Sequence, residues 1–145
     1  MSSWRDSVSE RAQAELDTVL DSALRLAQNQ LAKAHEFDPF AIIGHDDGRT
    51  LEVAIDKTQL GKHPETAEIT AALVSQLRML ARQSRCTALT VNTRLNKEKT
   101  DAVEIRLEHR EGAALVVLLP YKRAKFGSHV EYSPLKAFAG THEVW

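Results

Sequence analysis

The stretch Gly112-Ala113-Ala114-Leu115-Val116-Val117-Leu118-Leu119-Pro120 is almost wholly apolar and does not alternate with polar residues. A strand of that composition is ordinarily buried on both faces, which predicts the middle of a sheet. The two runs before it are patterned differently. Residues 88–95 place Leu89, Val91, Thr93 and Leu95 on one side, and residues 102–110 place Val103, Ile105 and Leu107 on one side. Glu104, Arg106, Glu108 and Arg110 line the opposite side of the second run, which is therefore expected to meet water.

Moving upstream, Pro64 suits a first helical position, Glu65 and Glu68 suit the positive end of a helix dipole, and Ile69, Leu73, Leu77 and Leu80 form a stripe. A helix over 64–83 follows. Before it stands a hairpin pattern: Phe40 to His45 as one strand, Asp46-Asp47-Gly48 as its turn with glycine supplying positive φ, and residues 50–56 as the return. The chain begins with a longer helix pattern. Ser7 and Glu10 stand at capping-box spacing, and Leu16, Val19, Leu20, Ala23, Leu24, Ala27, Leu31 and Ala34 recur every three or four residues, predicting a helix over 8–34. Asp38-Pro39 bars its continuation, because proline forces its predecessor into extended geometry.

Downstream of Tyr121 the pattern is irregular, yet Tyr132, Leu135, Phe138, Val144 and Trp145 supply too many large apolar groups for a solvated tail. Residues 122–145 are therefore expected to form an extension that packs on the sheet of a single domain spanning 1–145. At 145 residues, with 43% apolar and 27% charged, the chain has the size and balance of one globular domain with its own core. No apolar run reaches membrane-spanning length, and the first residues lack a secretory pattern, so a cytoplasmic protein is expected. The single cysteine, Cys86, lacks a disulfide partner and any zinc motif.

Net charge is −1, but it is unevenly distributed. Residues 1–72 carry 7 Lys/Arg against 13 Asp/Glu, and residues 73–145 carry 12 against 7. Such asymmetry either steers a charged partner or, more commonly, describes solvated faces of opposite sign.

The order helix, two strands, helix, three strands, with the most apolar strand last, resembles the roadblock and profilin-like group of small α/β proteins. The resemblance implies a single α+β domain, α-β-β-α-β-β-β, with a five-stranded, mainly antiparallel sheet in the order 2-1-5-4-3 and both helices on one face. The run 113–119 would then lie beside Phe40-Ala41-Ile42-Ile43. Separately, Phe37-Asp38-Pro39-Phe40-Ala41, Asp47-Gly48 and Leu119-Pro120-Tyr121 look like segments of small bacterial proteins without an assigned activity, which lends no residue a role.

Motifs that carry chemistry are few. There is no GxSxG, Walker loop or GxGxxG, and the six histidines form no i, i+4 pair. His45, Asp46 and Asp47 are metal-capable residues, but three consecutive ligands converge poorly and such aspartates usually satisfy their own turn. No metal or cofactor is expected. Tyr121, Arg123, Phe126 and His129 mix cations with aromatics, and with Tyr132 they are candidate ligand or partner contacts. A nucleic-acid partner is not expected from so small a basic footprint at pI 6.6. With both helices on one face, Ile42 or Ile43, with Val116 and Leu118 or their alternates, would leave an apolar stripe on the other, to be covered by the tail through Trp145 or by a partner. The reading that follows is a non-enzymatic, cytoplasmic interaction module, binding a protein or a second copy of itself, with an immunity-type protein as a special case. Its alternative is a small-ligand-binding or enzymatic domain with a pocket between sheet and tail.

Overall fold

The computed structural model describes residues 4–124 and 129–145. After a 3-10 turn at Trp4–Ser7, helix α1 spans Glu10–Leu31 and the hairpin β1 (Phe40–His45) and β2 (Thr50–Glu52) follows. Helix α2 spans Thr66–Leu80 and leads into a meander of β3 (Ser84–Leu95), β4 (Thr100–His109) and β5 (Ala114–Arg123). Two short strands, β6 (Val130–Tyr132) and β7 (Lys136–Ala139), complete one sheet.

Local sequence accounts for these boundaries. Ser9, two residues beyond the expected Ser7, caps α1 by accepting the Ala12 N–H at 3.1 Å, and its own hydroxyl donates to Glu111 at 2.7 Å. Glu65 and Glu68 form a reciprocal capping box at the start of α2, which leaves Pro64 just outside the helix. The hairpin turn uses Gly48 at φ 92°, as its Asp46-Asp47-Gly48 pattern predicts.

The architecture is α+β with two helices, but the sheet differs from the expected one. Its order is β2-β1-β3-β4-β5-β6, with β7 also paired to β5, and every pairing is antiparallel. Strand β1 therefore lies beside β3, not beside β5 as the order 2-1-5-4-3 required. The helices also lie on opposite faces. Ile42, Ala88, Leu107 and Leu115 form one row across the sheet and pack under α1. The neighbouring row begins with Ala41 and Leu89, which pack with Ile69, Leu73 and Leu77 of α2.

Double coverage by the helices explains which strands are central. Phe40, Ala41, Ile42 and Ile43 are all buried because both helices cover β1. Strand β3 is buried on both sides too, and it fits because Ala88 and Thr90 are small where α1 passes, as are Ala23 and Ala27 of the helix. Strand β5, the expected centre, instead alternates. Leu115, Val117 and Leu119 are buried, whereas Val116 and Leu118 are only half-buried. Of the expected interface residues, Ile42 lies under α1 on the face opposite Val116 and Leu118, whereas its alternate Ile43 shares their face and is buried in the cluster beneath α2.

Candidate functional site

Beyond α2, the second face of the sheet presents Glu104, Arg106 and Glu108 of β4 and Val116 and Leu118 of β5. The side of β4 expected to meet water does not lie open. Residues 140–145 run across it as a strap. The strap enters at Gly140, whose N–H bonds Ala114 O at 3.0 Å. A Cβ at this position would stand 2.8 Å from the Leu115 nitrogen, closer than a side chain tolerates, so glycine permits the approach.

Glu108 anchors the strap. Only 5% exposed, its carboxylate accepts the backbone N–H of Glu143 at 3.0 Å and of Val144 at 3.0 and 3.2 Å, and it meets His142 Nδ1 at 3.3 Å. A buried carboxylate is strongly disfavoured without such donors, so the strap satisfies Glu108 while Glu108 orders the strap. Next to it, Arg106 bonds Glu104 at 2.8 Å and Glu143 at 3.3 Å. Burial opposes the Arg106 charge, but these two carboxylates outweigh burial and raise its pKa above the ordinary value. Arg78 of α2 donates to the Glu143 carbonyl at 2.6 Å, and Val144 packs against the apolar cluster beneath α2.

Two hollows flank the strap. One, of about 750 Å³, lies between α2 and the sheet and is lined by Ala71, Val74, Arg78, Val91, Glu104 and Arg106 among others. The other, of about 330 Å³, is lined by Leu115, Val116, Ala139, Gly140 and Thr141. Both reach Arg106 and Glu143, so the strap divides what is otherwise one trough. Beside it, Phe138 of β7 pairs opposite Val116 and is 52% exposed; Leu135, 48% exposed, stands just before β7. Trp145 is half-buried at the end of the strap.

The other expected contacts are scattered. Tyr121 is buried and its hydroxyl accepts from Asn92 at 2.7 Å, while its ring lies 6.2 Å from that of Tyr132. Arg123 donates to the Ala34 carbonyl. Tyr121 and Arg123 do line a cleft of about 390 Å³, but its other wall is His35 and Glu36 beyond α1, not the tail. His129 is exposed, outside that cleft, and Phe126 lies outside the described residues. At the hairpin tip, Asp46 takes Arg110, Asp47 takes Arg49, and His45 Nδ1 accepts the Asp47 N–H. Among the described residues no group of three His, Cys, Asp or Glu is placed to hold a metal.

One polar cluster escaped the sequence reading. Under α1, fully buried His109 bonds Glu15 through Nε2 at 3.0 Å, and its Nδ1 accepts the Glu111 N–H, so Nε2 bears the proton. Glu15 also takes Arg85, and Cys86 is the cross-strand partner of His109. Thiol, imidazole and carboxylate thus lie close, as in a nucleophile and its base, but burial and the Glu15 charge push the Cys86 thiol up to about 12. Cys86 and His109 are fully buried, and of the three only Glu15 keeps partial exposure. No spacing in the chain could reveal it, since Glu15 and His109 are 94 residues apart. The same bonds join the acidic first half to the basic second half, Glu15 to Arg85 and Asp46 to Arg110, which uses part of the charge asymmetry internally.

Among the described residues, no helix is long and apolar enough to cross a membrane. No family model, curated protein or solved structure matches the chain.

Proposed function

We propose that the chain is a protein-interaction module, acting by binding and not by catalysis, which docks its partner on the second face of the sheet along β5 and β7. The supporting observation is the exposure of Phe138 directly opposite half-buried Val116 and on the same face as half-buried Leu118, where among the described residues only Met79, Tyr132 and Leu135 are comparably exposed large apolar groups. Contiguous apolar surface of this kind ordinarily marks an interaction site, and burying one such side chain contributes about 1.5–3 kcal/mol.

Strand β7 adds a backbone edge. It pairs with β5 on one side, and among the described residues no strand pairs with its other side. An edge like this accepts an added strand, whereas Pro134 and Lys136 oppose indiscriminate aggregation. Self-association into a homodimer is the simplest use of it.

The test compares the wild-type protein with Phe138→Asp, in solution mass by light scattering over a concentration series and in proteins retained from lysate of the source cells. The substitution is at an exposed site and should change stability by no more than about 0.5 kcal/mol. The proposal predicts that self-association or one specific partner is lost in the variant. Identical mass and identical retained proteins for both chains would refute it.

A further inference from the structure

We infer that residues 141–145 are an internal occupant of a peptide-docking trough, and that the partner's docking element is an extended segment of the same chemistry, a glutamate followed by a β-branched apolar residue, which displaces the strap. This inference deepens the interaction reading and rests on it.

The strap is bound as a peptide ligand would be. Backbone N–H groups of Glu143 and Val144 are read by Glu108, a recognition that any extended peptide can satisfy. Specificity comes from the side chains. The Glu143 carboxylate meets Arg106, its carbonyl meets Arg78, and half-buried Val144 packs against the apolar cluster beneath α2. A segment lacking the acid would leave Arg106 to Glu104 alone, and one with a charge in place of Val144 would bury it in apolar surroundings.

The chain leading into the occupant is exposed. Segment 131–139 is exposed throughout, joined to the sheet by two short strands, with Ser133-Pro134-Leu135 between them. The hollows on either side show that the strap fills only the middle of the trough, leaving room for an incoming segment to bind beside it before exchange. Because the strap is tethered, it competes at high effective concentration, so a free segment binds with an affinity reduced by the small fraction of open molecules.

The test uses a fluorescein-labelled peptide of the 139–145 sequence carrying Trp145→Phe, titrated by anisotropy against the full-length wild type and full-length Glu143→Ala. Weakening the strap should tighten peptide binding roughly five- to tenfold, by raising the open fraction. Replacing glutamate by alanine in the peptide, or adding Arg106→Gln to the protein, should abolish the gain. The unaltered protein provides a readout that needs no variant. Excess unlabelled peptide should increase acrylamide quenching of tryptophan fluorescence, as Trp145 leaves the face. Absence of peptide binding to both chains with unchanged quenching would show the strap to be a fixed part of the fold and overturn the inference. If the strap fails in this way while Phe138→Asp still removes self-association or a partner, the interaction reading survives without it.

Discussion

At the scale of single residues, the polar groups with the most consequence are those held inside. Cys86 is fully buried with its thiol pushed up to about 12, so reaction with a disulfide reagent at pH 8 should proceed only through unfolding. Its labelling rate should rise with urea in parallel with loss of structure. Fast labelling in native buffer would contradict the sealed cluster. Glu15 tests the same cluster by pH. Burial would raise its pKa, but hydrogen bonds from Arg85 and His109 more than offset burial and hold the carboxyl below its ordinary value of 4.5. A lowered carboxylate stabilises the fold above its unfolded pKa, and that contribution is lost as pH falls through the folded value. Glu15→Gln should therefore cost about 1–3 kcal/mol at pH 7. In urea midpoints measured from pH 7 down to pH 3, the gap between wild type and variant should narrow below about 4.5. A constant gap would mean that the charge of Glu15 is not what matters.

At the scale of elements, Gly140 decides whether the strap can lie down. Gly140→Ala places a methyl 2.8 to 2.9 Å from Leu115 backbone atoms, and crowding of this kind costs about 1–3 kcal/mol. The clash is with the β5 backbone, but relief comes by moving Gly140 and the strap that follows it, so the expected result is a red-shifted tryptophan spectrum with far-UV circular dichroism nearly unchanged. Loss of the whole fold would show that the strap is integral to the core. How far the elements were legible follows from local chemistry. Both helices, the hairpin and the three long strands could be read from periodicity and turn residues, because those signals lie within a few residues of each other. The sheet order could not. The run Leu115-Val116-Val117-Leu118 looks doubly buried by composition, but burial on the second side depends on where α2 lies, and α2 packs mainly over β1 and β3. Likewise Glu104, Arg106 and Glu108 alternate as a wetted face would, and only the tail crossing over them shows why Glu108 can be buried. Of the expected interface residues, Val116, Leu118 and Trp145 do fall on the second face or at its strap, whereas Ile42 belongs to the core.

At the scale of the whole molecule, the two faces of the sheet are closed in different ways. The first is sealed by a 22-residue helix with a continuous stripe from Ala12 to Leu31. Leu16→Ala in that stripe should cost about 2–5 kcal/mol in denaturant unfolding. The second is shared among α2, a strap and an exposed edge, and on it rests the claim that the strap gives way to a segment of another chain. A face that stays shut for as long as the protein is folded docks nothing in its trough. Native-state hydrogen exchange at the Val144 amide, compared with the amides of β4, measures this directly. The account predicts that Val144 exchanges through a local opening, on the order of a hundredfold faster than the β4 amides and insensitive to low denaturant. Exchange of Val144 at the rate of global unfolding, with the same denaturant dependence as β4, would contradict it.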